Sequence, residues 1–83
     1  MRVLHIVEDF SLSSGGLRTV IKNLDFHLKS IGYKSYILSS KKEKEDDIFL
    51  LETSNKWLYS NKWANVIDAI VIKNEISLIH IHG

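Results

Sequence analysis

The stretch VLHIVEDFSLSSGGLRTVIKNLDFHLKSI, residues 3–31, decides the fold. It opens on Val3-Leu4-His5-Ile6-Val7, an apolar run without helical spacing that stops at the acids Glu8 and Asp9. Beyond Gly15-Gly16, the residues Leu17, Val20, Ile21, Leu24, Leu28 and Ile31 recur at the spacing of an amphipathic helix. A strand, a serine-rich loop with two glycines and a helix, in that order, open a parallel α/β unit. Such a turn aims the free N–H groups of the helix's first turn over the strand ends, where an anion can be received.

Working outward, Arg2 to Glu8 reads as a strand apolar on both faces, with Val3, His5 and Val7 on one side and Leu4 and Ile6 on the other. Strands covered by helices on both faces have this composition. His5 on such a strand reads as a hydrogen-bonded core histidine. In the loop, Ser13 or Ser14 is a candidate helix cap, and Gly15-Gly16 permit positive φ or close backbone approach. Neither the dinucleotide spacing G-x-G-x-x-G nor the Gly-Lys-Ser/Thr of a P-loop is present. The helix is predicted over residues 16–31, ending at Gly32 with Lys29 in its last turn. Arg18, Lys22, Asp25 and Lys29 lie off the stripe and read as a solvated face. Arg18 also sits in the first turn, beside the candidate anion site.

Tyr33 to Ser39 completes a right-handed βαβ unit. The mixed charges of Lys41 to Asp47 predict an exposed loop, and Ile48 to Leu51 a short edge strand. A second helix fits 57–74, with Tyr59, Trp63, Val66, Ile67, Ile70 and Val71 at helical spacing. Ile76 to His82 then reads as a strand with Leu78, His80 and His82 on one face. The expected class is α/β, a partial Rossmann-like parallel sheet in the order β-α-β-β-α-β. Its expected strand order is 3-2-1-4, with Gly15-Gly16 and His82 on one rim.

Composition narrows the functions. The 83 residues, 45% apolar and 25% charged, make one small domain. A formal charge of +1, with 11 basic and 10 acidic residues interspersed, argues against nucleic acid as partner. With no cysteine there is neither a disulfide framework nor a thiolate metal site. No signal-peptide pattern and no run of ~20 apolar residues occurs, so a cytoplasmic protein able to work near a membrane surface is expected. His80-x-His82 could chelate a metal, but two histidines fall short of the four ligands of a structural zinc site, so no metal is expected. No Ser/His/Asp constellation can be assigned.

Leu4-His5-Ile6 in the first strand, Ser14-Gly15-Gly16 before the helix and Gly32-Tyr33 before the second strand resemble the start of a glycosyltransferase. The closing Leu78-Ile79-His80-Ile81-His82-Gly83 is similar to that family's strand ending in H-x-H. The resemblance is to glycosyltransferase family 4 (group 1), with its GT-B fold of two facing Rossmann-like lobes. It spans residues 1–83 as the first half of the N-terminal, acceptor-side lobe, with the donor-binding lobe absent. It implies transfer of a sugar from a nucleotide-sugar to a sugar or lipid-linked acceptor, with retention, in glycan or glycolipid biosynthesis and without a cofactor. Gly15, Gly16 and Arg18 would meet phosphate or an anionic acceptor, and His82 would stand near the transferred sugar. Ser77 departs from the family's usual aspartate, a change expected to affect only the turn. The fragment alone should be inactive and should self-associate, with Trp57, Tyr59 and Trp63 as candidate contacts.

Two other readings remain open. A receiver-like phospho-signalling domain would use Glu8-Asp9 to hold magnesium, but His82-Gly83 stand where its phosphate-accepting aspartate belongs, and no later lysine follows. A non-catalytic interaction module would use the open edge of a half-lobe to hold a partner.

Overall fold

A computed structural model describes residues 1–51 and 61–82. The chain forms β1 (Arg2–Val7), a 3-10 turn (Leu12–Ser14), α1 (Gly16–Ser30), β2 (Lys34–Ser39), β3 (Phe49–Leu50), α2 (Asn61–Asn74) and β4 (Leu78–His82). All strand pairs are parallel and the sheet order is β3-β2-β1-β4. This is the expected α/β class with the expected strand order. The second helix is described from Asn61, and the predicted turns at 57–60 lie outside the described residues. Ile76 and Ser77 belong to the turn before β4 and not to the strand.

The two faces of β1 separate as the alternation requires. Leu4 and Ile6 join Leu38, Leu51, Trp63 and Ile70 in a core beneath α2. Val7 joins Phe10, Ile21 and Ile37 beneath α1. Trp63, a candidate surface contact by sequence, is instead 0% exposed. Its place on the α2 stripe turns the indole into the sheet, where burying about 200 Å² is worth roughly 5 kcal/mol. Val20 and Ile31 of the predicted α1 stripe are each 53% exposed. Among the described residues α1 is the one helix on its face of the sheet, so the flanks of its stripe have no neighbour to cover them.

Both helices end on left-handed residues. At α1 the N–H of Gly32 (φ 92°) bonds the carbonyl of Lys29 and the N–H of Tyr33 that of Leu28, which satisfies two orphan carbonyls. At α2, Glu75 (φ 53°) takes the corresponding position, with Ile76 N–H on Val71. Ser77 then clamps the start of β4 to the start of β1. Its hydroxyl accepts the Arg2 N–H and donates to the Arg2 carbonyl, and its own N–H bonds the same carbonyl at 2.9 Å. Among the described residues, no helix is long and apolar enough to cross a membrane.

Candidate functional site

The chain runs from β1 outward through β2 to β3, then crosses back to place β4 on the other side of β1. In open parallel sheets, ligands bind at such a reversal, outside the carboxyl ends of the strands. Val7 pairs with His82 there, and the loop leading into α1 leaves the same end. Gly15, Gly16 and His82 therefore share one rim.

The loop is built from short polar contacts. Asp9 Oδ1 accepts the Ser11 N–H at 2.9 Å and the Ser11 hydroxyl at 2.6 Å. These bonds hold the Asp9 carboxyl below its usual range. The Ser14 hydroxyl donates back to the Ser11 carbonyl, so neither Ser13 nor Ser14 caps α1. Gly15 is the N-cap instead, at φ 61° and ψ −121°, a conformation open to glycine. With no capping side chain, the N–H groups of Gly16, Leu17 and Arg18 make no hydrogen bond among the described residues. Gly16 differs from Gly15: its φ is ordinary, and a Cβ added there would meet nothing within 4 Å.

Arg18 is not part of a solvated face. The residue is 6% exposed, and its Nη1 donates to the Phe10 carbonyl and to Asp46 Oδ2, while Nη2 donates to Asp46 Oδ1 at 2.8 Å. The guanidinium also lies 4.7 Å from the centre of the Phe10 ring. The 41–47 run, expected as an exposed loop, thus folds its Asp46 carboxylate under α1. Glu43 Oε2 accepts the Leu12 N–H at 2.7 Å. The Arg18 hydrogen bond holds the Asp46 carboxyl below its usual range. To reach a ligand Arg18 would have to release Asp46. In the folded chain it braces the glycine loop, through Phe10, against the loop after β2.

The face of β1 and β4 on the α1 side carries a feature that spacing alone did not reveal. The register sets His5 opposite His80 and Val7 opposite His82, so three imidazoles meet. Ring centroids are 5.9 Å apart for His5–His80, 5.4 Å for His5–His82 and 4.0 Å for His80–His82. His5 is buried, His82 half-buried and His80 exposed. His5 Nδ1 lies 3.2 Å from His82 Nε2, and His5 Nε2 lies 3.1 Å from the Ser35 hydroxyl on β2. Burial first, and then His82, push the His5 pKa down to about 4. Burial and then His80 lower that of His82. Both rings are neutral at pH 7. The same parity of His5, His80 and His82 was the available signal, and only the pairing of β1 with β4 turns parity into proximity.

No family model matches this chain, and no curated protein or solved structure matches it either.

A groove of about 520 Å³ runs beside α1, lined by Asp25, Lys29, Tyr33, Ser35, Tyr36 and Phe49 among others. Its walls come from the first half of β2 and from β3, and Gly15, Gly16 and His82 take no part in it. The rim, with its open helix N-terminus and neutral imidazole, is the better candidate for chemistry. At the position beside β1's acids where a receiver domain would carry its aspartate stands His82.

Proposed function

We propose that the chain is the N-terminal part of the acceptor-side lobe of a retaining glycosyltransferase of family 4, acting in glycan or glycolipid biosynthesis. The observation that carries the reading is the shared rim of Gly15-Gly16 and His82 at the β1/β4 reversal. Gly16 strengthens it. Alanine would favour the helix there by about 1 kcal/mol, and the fold leaves room for its Cβ. Glycine at this position leaves the backbone open to a ligand that approaches it closely. In this reading the free N–H groups of Gly16 and Leu17 face phosphate or an anionic acceptor. His82, neutral at pH 7, orients a hydroxyl or stabilises charge near the transferred sugar. Arg18 positions the loop through Phe10 and does not itself hold the ligand.

Such a transferase needs a donor lobe opposite this one, with the reacting atoms held together. A helix N-terminus contributes only about 0.3–1 kcal/mol when exposed, against ~8 kcal/mol or more for an enzyme. The 83 residues alone should therefore transfer no sugar and bind nucleotide-sugars weakly or not at all. A two-lobed protein carrying this sequence as its N-terminal part should transfer sugar, and should lose activity on His82→Ala and on Gly16→Ala with its fold intact. Robust transfer by the 83 residues would overturn the half-lobe argument. A folded two-lobed protein without sugar transfer would overturn the family reading, and indifference to His82→Ala would remove that residue from the site.

A further inference from the structure

We propose that His5, His80 and His82 form a binding site for a late first-row divalent cation, zinc by its geometry, with one coordination position left open. This site rests on side-chain placement; it shares His82 with the transferase reading but does not require it.

Each histidine offers one ring nitrogen, and the three atoms lie within 4.8 Å of one another. Around tetrahedral zinc, with Zn–N bonds of 2.0–2.1 Å, ligand nitrogens stand about 3.3 Å apart. The His5–His82 pair is already at 3.2 Å, so its separation needs no change. The third ligand must close by up to about 1.5 Å, from within 4.8 Å to about 3.3 Å. His80 can do so, because it is exposed on an edge strand and its side chain makes no hydrogen bond among the described residues.

The surroundings of His5 favour a ligand over a passive core residue. Its Nε2 lies 3.1 Å from the Ser35 hydroxyl and its Nδ1 3.2 Å from His82 Nε2; with Nε2–H donating to the Ser35 oxygen, Nδ1 is the lone-pair donor. Metal-bound histidines are oriented in this way, through the ring nitrogen that does not bind the metal. Strands contribute further rigidity. His5 sits on the central strand, paired on both sides, so the deepest ligand is the least mobile and the shallowest the most adaptable.

The donor set selects the metal class. Three imidazoles with no carboxylate among the converging atoms suit zinc, cobalt, nickel or copper, and do not suit magnesium or calcium, which demand oxygen. Three protein ligands rather than four leave a position for water or another small ligand. Because the α1 side of β4 is exposed at His80, that position faces solvent.

The test uses the 83-residue chain with zinc and cobalt(II) as probes. Calorimetry should show one zinc per chain, and cobalt should give the intense visible d–d bands of tetrahedral coordination, abolished by added zinc. His80→Ala lies on the exposed edge strand, where the fold tolerates it, and should weaken zinc binding at least tenfold. His82→Ala should do the same. His27→Ala, which removes the one histidine outside the cluster, should leave affinity unchanged. Zinc should raise the melting temperature of the unmodified chain and not that of His80→Ala. Ser35→Ala should weaken binding 10–100-fold and change the His5 ring-nitrogen tautomer pattern by NMR, whereas a purely structural serine would leave the tautomer as it is. The proposal fails if zinc binds no more tightly than to an unfolded control. It fails equally if His80→Ala and His82→Ala bind as well as the unmodified chain, because the cluster is then only a hydrogen-bonded histidine network.

Discussion

Replacing Asp46 by alanine should strongly destabilise this domain, although Asp46 lies in a loop that its charge pattern would place in solvent. The carboxylate and the Arg18 guanidinium are 6% and 8% exposed as side chains. Removing one partner of such a buried pair leaves the other charged and desolvated, at a cost of about 3–5 kcal/mol. The Phe10 carbonyl and ring offset only part of this, since neither carries a counter-charge. At ~0.05–0.15 kcal/mol per residue, a chain of 83 residues has a total stability of about 4–12 kcal/mol. Asp46→Ala therefore removes a large share of it. Urea denaturation followed by circular dichroism and by the fluorescence of buried Trp63 would measure the loss as a shift in midpoint at constant slope. The double variant Arg18→Met with Asp46→Leu removes both charges and fills the space with apolar atoms, so it should lie near the parent or above it. A single variant costing under about 1 kcal/mol, the range of an exposed pair, would refute the burial argument. A double variant as unstable as the single one would show that the loop needs the pair itself and not merely charge balance.

Acid should destabilise the metal-free chain in two stages. The folded His5 pKa of about 4 lies below the unfolded 6.5, so the unfolded chain takes up the proton first and stability falls as pH drops from 6.5 to 4. The loss levels off at about 3 kcal/mol; His5→Gln should flatten this part of the profile, and an unchanged slope would exclude His5 as its source. Asp9 and Asp46, whose carboxyls are held low, add a further loss below pH 3.8, seen in the same titration. Gly15→Ala should cost about 1–3 kcal/mol from backbone strain, whereas Gly16→Ala should raise stability by up to about 1 kcal/mol, both read by thermal melts. If the chain is a half-lobe, β4 with Leu78, Ile79 and Ile81 at 49%, 41% and 51% exposure should pair edge to edge. Sedimentation should then show dimers at high micromolar concentration, and a monodisperse monomer would count against it.

Sequence by itself determined the elements and much of their arrangement. The alternation of β1, the stripe from Leu17 to Leu28 and the stop at Gly32 are local signals, because side-chain periodicity and the left-handed φ of a C-terminal glycine depend on near neighbours. The parallel order and the shared rim followed, since a right-handed βαβ unit leaves few alternatives. Only tertiary structure decided the roles of the polar residues. Arg18 looks solvated until Asp46, 28 positions away, is folded beneath it. Trp63 lies on the predicted α2 stripe and is by sequence also a candidate contact between chains, and only the docking of α2 on Leu4 and Leu38 assigns it to the core. His5 and His82 are separated by 77 residues, and they meet only because β4 pairs with β1 in one register. A shift of one residue would send His80 and His82 to the opposite face. Periodicity is written in the chain within a turn or two of each residue. Partnership between charges and between imidazoles depends on which strands and loops come together, and no local spacing encodes that.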